Sequence, residues 1–121
     1  MAYNYVITPV YRIIFLKGSF DMANSFNTGN LYENGKIAEL KVGIGADLKV
    51  QAIGTEGSFQ VIGKLTQNGA EKILAMINTG DFSKATTITN NDIYAGDVSG
   101  FYSISVKNVS GFTKVWANIT Y

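Results

Sequence analysis

Ala46-Asp47-Leu48-Lys49-Val50-Gln51-Ala52-Ile53 sends Leu48, Val50 and Ala52 to one side of an extended chain and Lys49 and Gln51 to the other. That period of two marks a strand with one buried face. Thr55-Glu56-Gly57 turns the chain into Ser58 to Thr66, where Phe59, Val61 and Leu65 share a face and Gln60 and Lys64 share the opposite one with Ile62. Asn68-Gly69 supplies the next turn, because both residue types tolerate positive φ. The same grammar predicts strands at 36–42, 92–98, 101–109 and 112–121, with Tyr102, Ile104 and Val106 inward against Ser103, Ser105 and Lys107, and Val115, Ala117 and Ile119 inward at the end of the chain. Residues 71–77 fit both a short helical stripe and a strand. The turn residues on either side leave too little length for a stable helix, so a strand is predicted there. Asn27 to Lys36, with two Gly and three Asn, reads as a loop.

Composition agrees with this pattern. The chain has 121 residues, 1 Pro and 16% charged residues, with 13 Ile, 9 Val, 10 Thr, 7 Phe and 7 Tyr, a pool that favours strands over helices or disorder. Its length suits one domain spanning 1–121. The predicted fold is all-β: a single β-sandwich, jelly-roll-like or immunoglobulin-like, of about eight or nine short strands, since turn signals recur at the spacing such folds use.

Residues 3–16 read YNYVITPVYRIIFL. One face of the pleat carries Tyr3, Tyr5, Ile7, Tyr11, Ile13 and Phe15, and the other carries Val6, Val10, Ile14 and Leu16, so both faces are apolar. Such a strand either lies between layers or is covered by a second molecule, which makes residues 1–16 a candidate oligomer contact. Pro9 cannot donate to a ladder and argues for an edge or a bulge. Trp116 is a second candidate contact. Alternation with Val115, Ala117 and Ile119 turns it outward beside Lys114 and Asn118, where it suits a protein partner or the face of a sugar ring. Tyr32, Tyr94 and Tyr121 are candidates to extend such a platform.

The absence of His and Cys removes zinc fingers, triads with a His base, Cys nucleophiles, His-ligated haem and disulfides. Gly43-Ile44-Gly45 begins like a dinucleotide fingerprint but lacks the third Gly and the following helix. Asp47, Glu56, Asp81, Asp92 and Asp97 supply carboxylates for an acid pair, and Asp81, Asn90, Asn91, Asp92 and Asp97 supply oxygen ligands, yet their spacing matches no calcium loop. The expectation is no catalytic residue, no cofactor and no metal. A net charge of +1 without like-charge blocks argues against nucleic acid. The N-terminus lacks a basic region followed by an apolar run, so no signal peptide and no membrane span are expected, and synthesis in a host cytoplasm is. Asn27-Thr28-Gly29-Asn30 and Asn78-Thr79-Gly80-Asp81 echo each other and read as two equivalent turns.

Asn91-Asp92-Ile93-Tyr94-Ala95-Gly96-Asp97-Val98-Ser99-Gly100-Phe101-Tyr102-Ser103-Ile104-Ser105-Val106 resembles the G-x-Y-x-x-D-V-S-G segment, with its following strand, of small β-sandwich modules in virion proteins of tailed bacteriophages and prophages. Asp92 stands where those modules usually have Gly, and the resemblance covers about residues 46–121. Physically, Asp97 can accept from backbone N–H groups of a tight connection and Gly100 can take a left-handed conformation. The resemblance implies a non-enzymatic virion component of the head-decoration, neck, tail or baseplate type. Such a protein works by assembling with itself as a homo-oligomer and with other virion proteins, and capsid decoration or an accessory head or tail role is the leading expectation. The alternative is a carbohydrate-binding module that stacks a glycan on Trp116 and nearby Tyr.

Overall fold

The computed structural model describes residues 26–121, and every regular element in this region is a strand. In chain order these are β1 (Phe26–Glu33), β2 (Lys36–Ile37), β3 (Leu40–Lys41), β4 (Asp47–Ile53), β5 (Ser58–Lys64), β6 (Lys72–Ile73), β7 (Met76–Asn78), β8 (Lys84–Ala85), β9 (Tyr94–Asp97), β10 (Ser103–Ser110) and β11 (Lys114–Thr120). They form a seven-stranded sheet in the order β2-β1-β11-β4-β9-β7-β8 and a four-stranded sheet in the order β3-β10-β5-β6. All pairings are antiparallel. The predicted all-β sandwich is therefore the observed fold.

The strict alternation of β4 decides which face of the larger sheet is inward. Leu48, Val50 and Ala52 are buried while Lys49, Gln51 and Ile53 are exposed. β11 pairs along its whole length with β4, from Lys114 opposite Ile53 to Thr120 opposite Asp47, and adds Val115, Ala117 and Ile119 to the same inward face. From the smaller sheet, Phe59, Val61, Ile104 and Val106 meet them to form one apolar core. Phe59 is completely buried and stands edge-on to Phe112, with ring centroids 6.0 Å apart. Its backbone exchanges two hydrogen bonds with Ile88, tying the connection after β8 to the start of β5.

Several local expectations are corrected. The stretch read as a loop, Asn27 to Lys36, contains β1, which pairs with β11 over nearly its full length and accommodates buried Leu31 at a bulge between Asn30 and Tyr32. A long partner edge outweighs turn-prone composition. The turn itself shrinks to Asn34-Gly35, both at positive φ (48° and 91°), as a two-residue hairpin requires. The single strand read at 36–42 is two, β2 in the larger sheet and β3 in the smaller, so the chain changes layer at Ala38-Glu39. The strand read at 71–77 divides in the same way into β6 and β7. These two divisions, with β1 and the two-residue β8, account for the strands among residues 26–121 that the sequence reading did not separate. The two Asn-Thr-Gly segments are not equivalent: the first lies within β1, whereas Asn78 ends β7 and accepts the Gly80 N–H at 2.8 Å. Leu65 lies beyond the end of β5 and is exposed, and Ser103, read as outward and polar, is buried.

At one end of the sandwich two connections meet backbone to backbone. Gly111, between β10 and β11, has φ +81°, and a Cβ there would stand 2.5 Å from the Glu56 carbonyl oxygen and 2.7 Å from Gly57 Cα. Gly35 also has positive φ, but the space around it is open. Gly35→Ala is therefore expected to cost about 1–2 kcal/mol from its left-handed backbone alone. Gly111→Ala adds a backbone clash to the same strain and should cost clearly more, as read from chemical denaturation midpoints. Equal losses would contradict this packing.

Candidate functional site

The alternation that buries Val115, Ala117 and Ile119 turns Trp116 outward, as predicted, and leaves it 41% exposed. Its neighbours follow from register: Asn30 of β1 lies opposite on one side and Gln51 of β4 on the other. The Lys114 ammonium sits over the indole, 5.1 Å from the ring centroid, and pairs with Glu33 at 3.4 Å. One ring face is thus occupied by a cation–π contact. Trp116 also lines a groove of about 400 Å³ together with Ile93, which is 42% exposed. Thr28, Lys49, Gln51 and Asn118 supply its polar lining. Lys49 is engaged by Asp47 at 2.7 Å, and the Thr28 hydroxyl donates to Asn118 Oδ1 at 3.1 Å.

A polar recess of about 480 Å³ shares Gln51 and Ile93 with this groove and is lined further by Asn78, Thr79, Asp81, Asn91 and Asp92. Its two loops come together because β7 pairs with β9, with Asn78 opposite Tyr94. The side chains are held by a connected set of hydrogen bonds. Gln51 Nε2 donates to the Asn91 carbonyl at 3.0 Å, Asn91 Nδ2 to the Gly54 carbonyl at 2.9 Å, and Asn78 Nδ2 to Asp92 Oδ2 at 2.9 Å. The Thr79 hydroxyl donates to the Ile93 carbonyl at 2.9 Å. Asp81 accepts from the Ser83 N–H and hydroxyl, which together hold its carboxyl below the usual carboxylate range.

Of the residues read as oxygen ligands, Asp81, Asn91 and Asp92 line this recess, and Asn90 accepts the Asp92 N–H at 3.0 Å. Asp97 lies at the other end of β9, opposite Asp47. Among the described residues no three acidic side chains come close enough to hold a metal ion. The aromatic platform is narrower than expected. Tyr94 is only 4% exposed and belongs to the core, Tyr32 packs against that core, and neither Tyr32 nor Tyr121 lines the groove. The other expected contact residues, Tyr3, Tyr5, Ile7, Tyr11, Ile13 and Phe15, lie outside the described residues.

The smaller sheet carries a feature that the sequence reading missed. On its outer side a groove of about 220 Å³ is lined by Ile37, Ile62, Lys64, Glu71, Ser105 and Lys107, among others. Ile62 is buried there because Ile73 of β6 lies directly opposite it. Two ion pairs flank the apolar centre, Lys64 with Glu39 at 3.3 Å and Lys107 with Glu71 at 3.5 Å. The Ser103 hydroxyl donates to Glu39 at 2.9 Å and, with Lys64, holds that carboxyl below its usual value. The clue in the sequence was Ile62 itself, an apolar residue on a face otherwise made of Gln60 and Lys64.

The Asp97-Val98-Ser99-Gly100 connection is built as expected. Asp97 Oδ1 accepts the Ser99 hydroxyl at 2.7 Å and the Ser99 N–H at 2.9 Å, Gly100 has φ +85°, and the Phe101 N–H closes the turn on the Val98 carbonyl.

Fold and site together define an antiparallel β-sandwich module with an aromatic groove on one sheet and an ion-pair-flanked apolar groove on the other. No helix among the described residues is long and apolar enough to cross a membrane. Two solved structures share the fold. One is the SPBc2 prophage-derived protein YomS, 21% identical with a TM-score of 0.68, the match covering 79% of this chain and 93% of YomS. The other is the PBSX exported protein XepA, 20% identical with a TM-score of 0.69, covering 95% of this chain and 48% of XepA, so the chain spans about half of that protein's length. The sequence itself matches no family model and no curated protein.

The hydroxyl and N–H of Ser99 hold the Asp97 carboxyl below its ordinary value. A group with a lowered folded-state pKa stabilises the fold above its unfolded value, about 3.9 for Asp, and that contribution is lost as pH falls through the folded value. Asp97→Asn is therefore expected to be less stable than the unmodified chain at neutral pH and indistinguishable from it in strong acid. Thermal unfolding of both proteins across pH 2–7 checks this, and a difference that persists at the acid end would contradict it.

Proposed function

We propose that this chain is a non-enzymatic structural component of a bacteriophage or prophage particle, an accessory or capsid-decoration protein that works by docking on copies of itself and on other virion proteins. The observation that carries the reading is the fold shared with prophage-derived YomS over 93% of its length. The segment from Asn91 to Val106, similar to virion β-sandwich modules, points the same way. The exported XepA supports a location on the particle or outside the host cell.

The smaller sheet offers the contact face this role needs. Ile37 and Ile73 are 56% and 46% exposed beside buried Ile62, with charged pairs around them. An apolar centre inside a polar, solvated rim is the usual anatomy of a protein interface. Surface ion pairs contribute about 0–1 kcal/mol each, so their part in docking is to orient a partner more than to hold it.

Static light scattering over a dilution series tests the proposal. A discrete oligomer that survives dilution is expected, and Ile73→Lys, which places a charge on the exposed side chain opposite Ile62, should shift it to monomer without lowering the melting temperature by more than a few degrees. A chain that is monomeric at every concentration and does not co-sediment with purified phage particles would overturn the reading.

A further inference from the structure

We propose that the groove between Trp116 and Ile93, with the adjoining recess, is a binding site for a neutral pyranose chain. This inference does not depend on the assembly reading and concerns the opposite face of the sandwich. A pyranose presents axial C–H groups on a flat face and hydroxyls around its edge, so its site needs an aromatic surface beside side chains that both donate and accept. The groove supplies both. Lys114 sits over the indole, and Trp116 lines the groove together with Gln51 and Asn118. Gln51 uses its amide N–H on the Asn91 carbonyl, which fixes the side chain and leaves its carbonyl oxygen to accept from a ligand hydroxyl. In the recess Asp92 and Asp81 are oriented through Asn78 and Ser83, so acceptors for further hydroxyls are in place before a ligand arrives. Such preorganisation lowers the entropic cost of binding.

Charge selects the class of ligand. The cations beside the groove are already matched, Lys49 by Asp47 and Lys114 by Glu33, while the recess presents two carboxylates. Phosphate-bearing and acidic polymers are disfavoured, and neutral polyols are not. The groove itself is lined mainly by apolar surface, so a protein contact is the competing occupant, and the adjoining polar recess with its fixed acceptors is what favours a hydroxylated ligand. The volumes of groove and recess, about 400 and 480 Å³, lie in the range of small-ligand sites, and the two share Gln51 and Ile93, so more than one sugar unit has a place to bind.

Trp116 is the single tryptophan of the chain, so its emission reports on the site directly. The full chain is titrated with maltohexaose, cellohexaose and chitohexaose, with polygalacturonic acid as the anionic control. Saturable change in emission with at least one neutral oligosaccharide and none with the anionic polymer is expected. Gln51→Ala, which keeps the fluorophore, should weaken binding several-fold. Trp116→Ala, followed by calorimetry, should weaken it at least about tenfold, as for a central aromatic contact, while Ile73→Lys on the other sheet leaves affinity unchanged. Absence of binding to all three neutral probes overturns the proposal, as does undiminished affinity in Trp116→Ala. A fall in native mass on Trp116→Ala would assign the groove to a protein contact instead. Loss of oligomerisation in Ile73→Lys bears only on the assembly reading.

Discussion

The ladder between β4 and β11 is the constraint on which the rest of the structure depends. It runs unbroken from Lys114 opposite Ile53 to Thr120 opposite Asp47 and lies at the middle of the larger sheet. Because side chains alternate with a period of two, this register fixes two surfaces at once. Leu48, Val50, Ala52, Val115, Ala117 and Ile119 go to the core, and Lys49, Gln51, Trp116 and Asn118 go to solvent. A slip of one residue in β11 would bury an indole and a lysine and expose three core side chains, at about 1.5–3 kcal/mol for each large apolar group uncovered. The outward groove is thus a by-product of the same alternation that makes the fold.

The two outer faces differ in kind. On the larger sheet the exposed indole and Ile93 line a mainly apolar groove that also carries amides, a hydroxyl and a matched lysine. On the smaller sheet Ile62 and Ile73 pair across neighbouring strands beneath flanking ion pairs, a chemistry suited to a protein surface. Among the described residues the outermost strands of both sheets are only two residues long, a length that offers little template for strand addition.

Much of this was legible in the sequence wherever one strand ran long enough for alternation to show. β4, β10 and β11, the outward turn of Trp116, and the Asp97-Ser99-Gly100 connection all follow from local residue order. Tyr94 carried a usable signal too, since it shares parity with buried Val98 and not with Ala95 and Asp97. What escaped was decided by long-range pairing. β1 is written in turn-forming residues and becomes a strand because β11 offers it an edge. Residues 36–42 and 71–77 each change sheet part-way, and no local period reveals that. The recess is assembled from loops near positions 78–81 and 91–93, joined only when β7 meets β9, so its members appear in the sequence as unrelated polar residues.

The most direct test of the account is the solvent exposure of Trp116, read from the emission maximum of the unliganded chain and its quenching by acrylamide. The β4–β11 register predicts the red-shifted emission of a partly hydrated indole, readily quenched. A blue-shifted emission resistant to acrylamide would place the ring inside the protein or under another molecule and contradict the open groove on which the functional reading of that face rests.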